Sequence, residues 1–104
     1  IDLRLDHNND KTTQMQDVIK VRRGAKATIV NALVKGIGAT GDLIDLTDKK
    51  GDGDLTSSIS LTNSLTNPNA GKEINANGET PNVKIEGGNT GCPTTIFSWT
   101  GYEF

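Results

Sequence analysis

The clearest pattern in the chain is a two-residue alternation of apolar and hydroxyl side chains between positions 55 and 66. Leu55, Ile59, Leu61 and Leu65 occupy odd positions, and every even position carries serine or threonine. Successive side chains of a β-strand point to opposite faces, so this segment predicts a strand with one apolar face and one hydroxyl face. The hydroxyl row has two interpretations: an ordinary solvent face, or a flat hydrogen-bonding surface for a partner or a sugar.

Shorter segments repeat the strand signal along the chain. They lie at 1–6, 18–21, 42–46, 82–86 and 94–104, and stretches rich in Gly, Asn and Asp separate them. Asn77-Gly78 is a typical hairpin signal. Several short strands separated by turns predict a mainly β fold, an antiparallel sheet or a small sandwich. The length of 104 residues fits a single β-rich domain over 1–104.

The segment 26–37 fits two structures. Its apolar residues, Ile29 and Leu33 among them, are spaced like one face of a helix. However, the β-branched residues at 28–30 are restricted at χ1, and glycines at 24 and 36 bracket a segment that is short for a helix. The sequence favours a strand here, with one short helix near 26–37 as the alternative.

Aromatic residues are confined to one end of the chain. The four of them, Phe97, Trp99, Tyr102 and Phe104, all lie within the last eight residues. Aromatic side chains bury the largest areas of any residue type. The C-terminal segment is therefore predicted either to hold much of the core as a last strand or to form an interface.

The charge pattern argues against a nucleic-acid partner, and the hydropathy pattern argues against a membrane span. The net charge is −2, and the one basic cluster, Lys20-Val21-Arg22-Arg23, is four residues long. A nucleic-acid partner needs a broad basic face, so this cluster is interpreted as a solvated strand edge. No stretch approaches the roughly 20 apolar residues of a membrane span. Because the chain begins at Ile1, we expect a mature product after signal cleavage or a fragment.

No catalytic constellation is recognisable, and we expect no enzyme activity. His7 is the single histidine and Cys92 the single cysteine, which excludes an internal disulfide and an ordinary Cys/His zinc site. Cys92 is interpreted either as a small residue at a strand entry or as a thiol paired with another chain. The glycines of 36–41 have the G-x-G-x-x-G spacing of a phosphate loop, but without the required strand and helix context they predict a turn.

Calcium is the one cofactor that the sequence suggests. Asp6, Asn8 and Asp10 supply oxygen ligands at positions 1, 3 and 5 of a loop, and Asp17 falls at position 12. Lys11 stands at the sixth position, where the sharp turn of such a loop needs glycine. A solvated acidic loop is the alternative interpretation. A second acidic turn contains Asp48, Asp52 and Asp54, without the correct spacing.

From Lys26 onward the Gly-rich loops, the strands decorated with Thr and Ser, and the aromatic end resemble the globular head of a type IV pilin. The chain is similar to the separate head chain of a split, two-chain bacterial pilin. The resemblance implies a structural subunit of a secreted or cell-surface filament that packs on a hydrophobic helical partner chain and on identical subunits. The implied interface consists of Ile1, Leu3, Leu5, Ile29, Leu33, Phe97, Trp99, Tyr102 and Phe104. The alternative function is an extracellular adhesin or a carbohydrate- or calcium-binding β-module.

Overall fold

Short strands dominate the computed structural model, which describes residues 2–5, 15–36, 40–66 and 71–101. The strands are β1 (Asp2–Leu5), β2 (Met15–Lys20), β3 (Thr28–Gly36), β4 (Thr40–Asp45), β5 (Ser58–Leu65), β6 (Ile74–Asn75) and β7 (Val83–Ile85). A 3-10 helix, Thr94–Thr100, follows them. The prediction of a mainly β fold is confirmed.

Successive strands alternate between two sheets. One sheet has the order β1-β3-β5-β7 and the other the order β2-β4-β6. All pairings between these strands are parallel, so the expected antiparallel arrangement is wrong. Parallel neighbours need a crossover connection, and here each crossover runs through a strand of the opposite sheet. The chain therefore winds as a parallel β-solenoid, in which each strand lies beside the strand two elements earlier.

The register places like residues beside like residues from one turn of the coil to the next. Partners lie 24 to 31 positions apart in sequence. Ile29, Ile59 and Val83 form one row across the first sheet. A second row, Ile19, Ile44 and Ile74, crosses the other sheet. These rows place apolar side chains between the two sheets, where burial is favourable.

The core consists of aliphatic side chains from both sheets. Val34 and Leu61 come from the first sheet, and Ile44 comes from the second; all three are completely buried. The aromatic end adds nothing to this cluster within the part of the chain that the structure describes. The C-terminal strand predicted at 94–104 is wrong, because residues 94–100 form the 3-10 helix. Tyr102 and Phe104 lie outside the described residues.

The segment with two interpretations is a strand, and the helix alternative near 26–37 is wrong. A bulge interrupts the register of β3 between Ile29 and Ala32. Asn31 sits at this bulge with a φ of 55°, in the left-handed region. The extra residue moves the next inward position from 31 to 32, so Ile29, Ala32 and Val34 all pack inward. The helical spacing seen in the sequence depended on Val30 and Leu33, but Val30 is exposed and Leu33 is half-buried in the strand.

The turn predicted at Asn77-Gly78 is present but makes no hairpin. Asn77 and Gly78 both have positive φ, 52° and 78°, and the Glu79 N–H donates to the Ala76 carbonyl at 3.0 Å. These are features of a type I′ turn. The turn nevertheless connects β6 to β7, which belong to different sheets.

Candidate functional site

The hydroxyl face of β5 is partly covered by residues 86–91, which we call the strap. Thr62 Oγ1 donates to the Glu86 carbonyl at 2.6 Å and accepts the Asn89 N–H at 3.0 Å. Ser60 Oγ donates to the Glu86 carboxylate and accepts from Asn89 Nδ2 at 3.0 Å. Two hydroxyls of the row therefore bind the chain itself, so this part of the face is neither simply solvated nor open to a sugar.

Asn31 fixes the far end of the strap. Its Oδ1 accepts the Thr90 N–H at 2.7 Å, and its Nδ2 donates to the Gly91 carbonyl at 2.9 Å. Asparagine suits this position because it tolerates positive φ and carries both a donor and an acceptor. The bulge of β3 thus anchors the segment that leads into the 3-10 helix.

The 3-10 helix presents large apolar side chains to the surface. Ile96, Phe97 and Trp99 are exposed by 54%, 37% and 82%. Thr100 Oγ1 donates to the Phe97 carbonyl at 2.7 Å, and Gly101 ends the helix with a φ of 76°. We call the helix and these three side chains the aromatic helix.

The structure divides the predicted interface residues into three groups. Phe97 and Trp99 lie on the aromatic helix. Ile29 and Leu33 lie half-buried in β3, and Ile29 packs against the core, so it serves the interior. Leu3 and Leu5 lie in β1, whose side chains are not described, and Ile1, Tyr102 and Phe104 lie outside the described residues.

Three carboxylates meet on the second sheet and form what we call the acidic cluster. Asp17, Asp42 and Asp45 place carboxylate oxygens within 4.8 Å of one another. Asp17 pairs in register with Asp42, and Lys20 pairs with Asp45, across β2 and β4. Asp17 belongs to the calcium loop predicted from the sequence, whereas Asp6, Asn8 and Asp10 lie outside the described residues. Sequence spacing gave no reason to group Asp17 with Asp42 and Asp45, because only the parallel register brings them together.

The acidic cluster has protein partners on most sides. Lys20 Nζ donates to Asp45 Oδ2 and lies 3.9 Å from the Asp17 carboxylate. Asp45 Oδ1 accepts the Thr47 N–H at 2.8 Å and the Thr47 hydroxyl at 2.7 Å. Asp42 accepts the Lys72 N–H at 2.7 Å and Asn75 Nδ2 at 2.9 Å. The ammonium of Lys20 thus neutralises Asp45 and lies near Asp17.

The surroundings stabilise the charged forms of Asp45 and Lys20 and destabilise the charged form of Asp17. Burial, followed by repulsion from Asp45, raises the pKa of Asp17. Burial also works to raise the pKa of Asp45, but hydrogen bonds from Lys20 and Thr47 outweigh it and lower that pKa. The hydrogen bond to Asp45 raises the pKa of Lys20. Oxygen ligands are present for a hard cation, but binding one would require Lys20 to withdraw.

The second acidic turn is held together by its own side chains. Asp52 Oδ1 accepts the Asp48 N–H at 2.9 Å. Asp54 Oδ1 accepts the Thr56 N–H at 2.8 Å and the Thr56 hydroxyl at 2.7 Å, and these bonds lower the pKa of Asp54. These carboxylates therefore shape the turn and do not converge on one site.

Two other features of the sequence remain: the glycine-rich segment 36–41 and the single cysteine, Cys92. The glycine-rich segment 36–41, of which 37–39 lie outside the described residues, is followed by the strand β4, whereas a phosphate loop is followed by a helix. Cys92 is a half-buried free thiol whose Sγ lies 3.9 Å from the Pro93 carbonyl.

The fold defines the class of the protein as a parallel β-solenoid, and comparison takes the identification no further. No protein-family model, curated protein or solved structure matches the chain. Across the described ranges, helices long and apolar enough to cross a membrane are absent.

Proposed function

We propose that the chain is a structural module of an extracellular filament or surface assembly, which binds a protein partner through the aromatic helix. The observation that carries this proposal is the 82% exposure of Trp99 beside the exposed side chains of Ile96 and Phe97. Clusters of exposed apolar side chains mark protein contacts, and tryptophan is enriched among the residues that dominate binding energy.

The solenoid can present this helix without relying on it for folding. Fully buried residues such as Leu61 and Ile44 fill the space between the sheets with aliphatic side chains. The strap is hydrogen-bonded to Asn31, Ser60 and Thr62, close to where the helix begins. A side chain such as Trp99 buries about 150–250 Å² when it is covered, which makes the aromatic helix a strong anchor for a partner.

The nature of the partner rests on the sequence resemblance. A hydrophobic helical pilin chain, together with identical subunits, is the partner that the resemblance implies, and a cell-surface location goes with it. The parallel solenoid differs from the antiparallel sheet that was expected, so the fold itself does not support the pilin assignment. The assembly role is supported by the exposed aromatic helix and by the two parallel sheets of the solenoid. We propose no catalytic role.

Trp99 provides a direct probe of this proposal because it is the only tryptophan. Sedimentation and tryptophan emission are measured over a range of protein concentrations, alone and with a synthetic apolar helix. Assembly should shift the emission to shorter wavelength as Trp99 leaves water. Phe97→Ser should weaken assembly while preserving the probe, whereas Val30→Ser, at another exposed apolar residue, should not. Unchanged mass and solvent-exposed emission under all conditions would contradict the proposal.

A calcium-binding module is the second candidate, and the acidic cluster is the observation that favours it. If calcium displaces Lys20 from the three carboxylates, calcium should raise the melting temperature and EDTA should reverse the change. Asp42→Asn should abolish the calcium effect, while Asp54→Asn, outside the cluster, should preserve it. A melting temperature that is indifferent to calcium and EDTA excludes this candidate.

A further inference from the structure

Turns on one side of the solenoid line an open basic groove of about 620 Å³. The turn after β2 contributes Arg22 and Arg23, the turn after β4 contributes Lys49 and Lys50, and Asn77 lies in the turn after β6. Lys20, which Asp45 holds in the acidic cluster, also borders the groove, and the described lining residues include two carboxylates. The volume lies within the range of about 300–1,000 Å³ that is typical of ligand sites.

Backbone hydrogen bonds preorganise this groove, because they join the first two turns directly. The Arg23 N–H donates to the Gly51 carbonyl at 2.6 Å, and the Gly24 N–H donates to the Asp52 carbonyl at 2.9 Å. Asn77 Nδ2 also donates to Asp52 Oδ2 at 3.0 Å, which ties in the third turn. The cations are therefore displayed on a connected backbone frame.

The two carboxylates of the groove are largely used in shaping the turns. Asp52 accepts from the Asp48 N–H and from Asn77, and Asp48 accepts the Lys50 N–H at 3.2 Å. Asp48 lies 3.7 Å from Arg22 and 3.6 Å from Arg23, and both arginine side chains are more than half exposed. Exposed ion pairs of this kind contribute little free energy, so an incoming anion can recruit these guanidinium groups.

Lys49 and Lys50 complete the positive surplus. Both are exposed, and neither forms an ion pair with another residue in the described part of the chain. Although the whole protein carries a net charge of −2, the described lining of this groove has four cations besides Lys20, which is held by Asp45, and two carboxylates. A local concentration of one charge sign attracts ligands of the opposite sign.

We propose that the basic groove binds an acidic polysaccharide through its sulfate or carboxylate groups. Cations on two neighbouring turns suit a chain that carries repeated anionic groups, and Thr47 and Asn77 add neutral hydrogen-bonding groups for hydroxyls. A single-stranded nucleic acid is favoured less because no aromatic side chain, on which bases could stack, is found among the described residues that line the groove.

The test compares a heparin octasaccharide, an oligogalacturonate and a single-stranded DNA of equal charge, using calorimetric titration at several salt concentrations. The Lys49→Gln/Lys50→Gln variant should weaken binding of the preferred sugar about tenfold and make the salt slope shallower by about 2. Lys26→Gln/Lys84→Gln removes the same charge at exposed positions outside the groove and should have little effect. Preference for heparin indicates sulfate recognition, and preference for oligogalacturonate indicates carboxylate recognition.

Three results would overturn the inference: no binding of either sugar at low salt, an equal loss in both double variants, or tighter binding of the DNA. Melting curves of both variants serve as the folding control. If the first variant is destabilised, Arg22→Gln is used in its place with the same expected direction.

Discussion

Neighbouring aspartates in the acidic cluster should respond in opposite directions to the same substitution. Asp45 has a side chain that is 7% exposed and accepts hydrogen bonds from Lys20 and Thr47. Asp45→Asn keeps the size but removes the negative charge that holds the ammonium. Hydrogen bonds to charged groups contribute about 1.5–3 kcal/mol, so we expect a loss of this order in the free energy of unfolding. At roughly 4–8 °C per kcal/mol, the melting temperature should fall clearly.

Asp17→Asn should instead leave the stability unchanged or raise it slightly. The Asp17 side chain is 12% exposed, and its raised pKa means that folding disfavours its ionised form. The neutral amide removes the repulsion from Asp45 and the cost of burying the charge. Among the described residues Asp17 has one ion pair, with Lys20, which is long at 3.9 Å and contributes little in comparison.

The pH dependence follows from the same three groups. The contribution of Asp45 is complete above its unfolded pKa of 3.8 and is lost as the pH falls through its lower folded pKa. The contribution of Lys20 is complete below its unfolded pKa of 10.5 and is lost as the pH rises through its higher folded pKa. Asp17 acts in the opposite sense: its penalty is relieved as the pH falls through a folded pKa that lies above 3.8.

Urea denaturation followed by circular dichroism at pH 7 measures both variants, and thermal melts between pH 3 and 11 test the titration. The wild type and Asp17→Asn should converge in stability on acidification from pH 7, because protonation removes the same charge. The reasoning is refuted if Asp17→Asn is destabilised as much as Asp45→Asn at pH 7.

Three further tests address the packing of the solenoid and the attachment of the strap. Gly41→Ala drives a Cβ into the backbone carbonyl oxygen of Gln16 in β2 and should cost about 1–3 kcal/mol in urea denaturation, whereas Gly87→Ala, with open space around it, should be nearly neutral. Asn31→Ala should release the strap, seen as faster hydrogen exchange at residues 86–91 with little change elsewhere; uniform exchange throughout would contradict this. Leu61→Ala should cost about 2–5 kcal/mol, and Leu55→Ala, at a 37% exposed position, should change stability by less than about 1 kcal/mol; equal losses would contradict the assigned core.

Most of the strands could be predicted from the sequence, although β6 was not and the strand predicted at 94–104 is wrong; strand direction could not be predicted. The alternation around Leu61 predicts which residues of β5 face inward, and the structure confirms it: Ile59 and Leu61 are buried. That alternation is the same in parallel and antiparallel sheets. Direction depends on the connections, and their varying lengths spread the register over offsets of 24 to 31 residues, so no fixed repeat is visible.

The candidate sites were predictable only where a site lies on one segment. Phe97 and Trp99 are close in sequence, so an interface could be proposed from the cluster itself, and their exposure supports that alternative over a core strand. The acidic cluster combines positions 17, 42 and 45, and the basic groove combines the turns after β2, β4 and β6. In the sequence, Arg22 and Arg23 belong to a basic run of only four residues, and only the fold brings Lys49 and Lys50 beside them.

A parallel solenoid changes how the charge of a chain should be interpreted. Residues one turn of the coil apart become neighbours. Short charged segments that each contribute little can therefore combine into a strong local electrostatic field. Here Asp17 joins Asp42 on one face of the coil, while Arg23 joins Lys50 at the turns. The net charge of −2 is a sum over the whole chain, so it does not reveal that carboxylates and cations are concentrated in two separate places. The acidic cluster and the basic groove share one residue, Lys20. Because Lys20 is held by Asp45, loss of that carboxylate should free an ammonium for the groove and strengthen its attraction for anions.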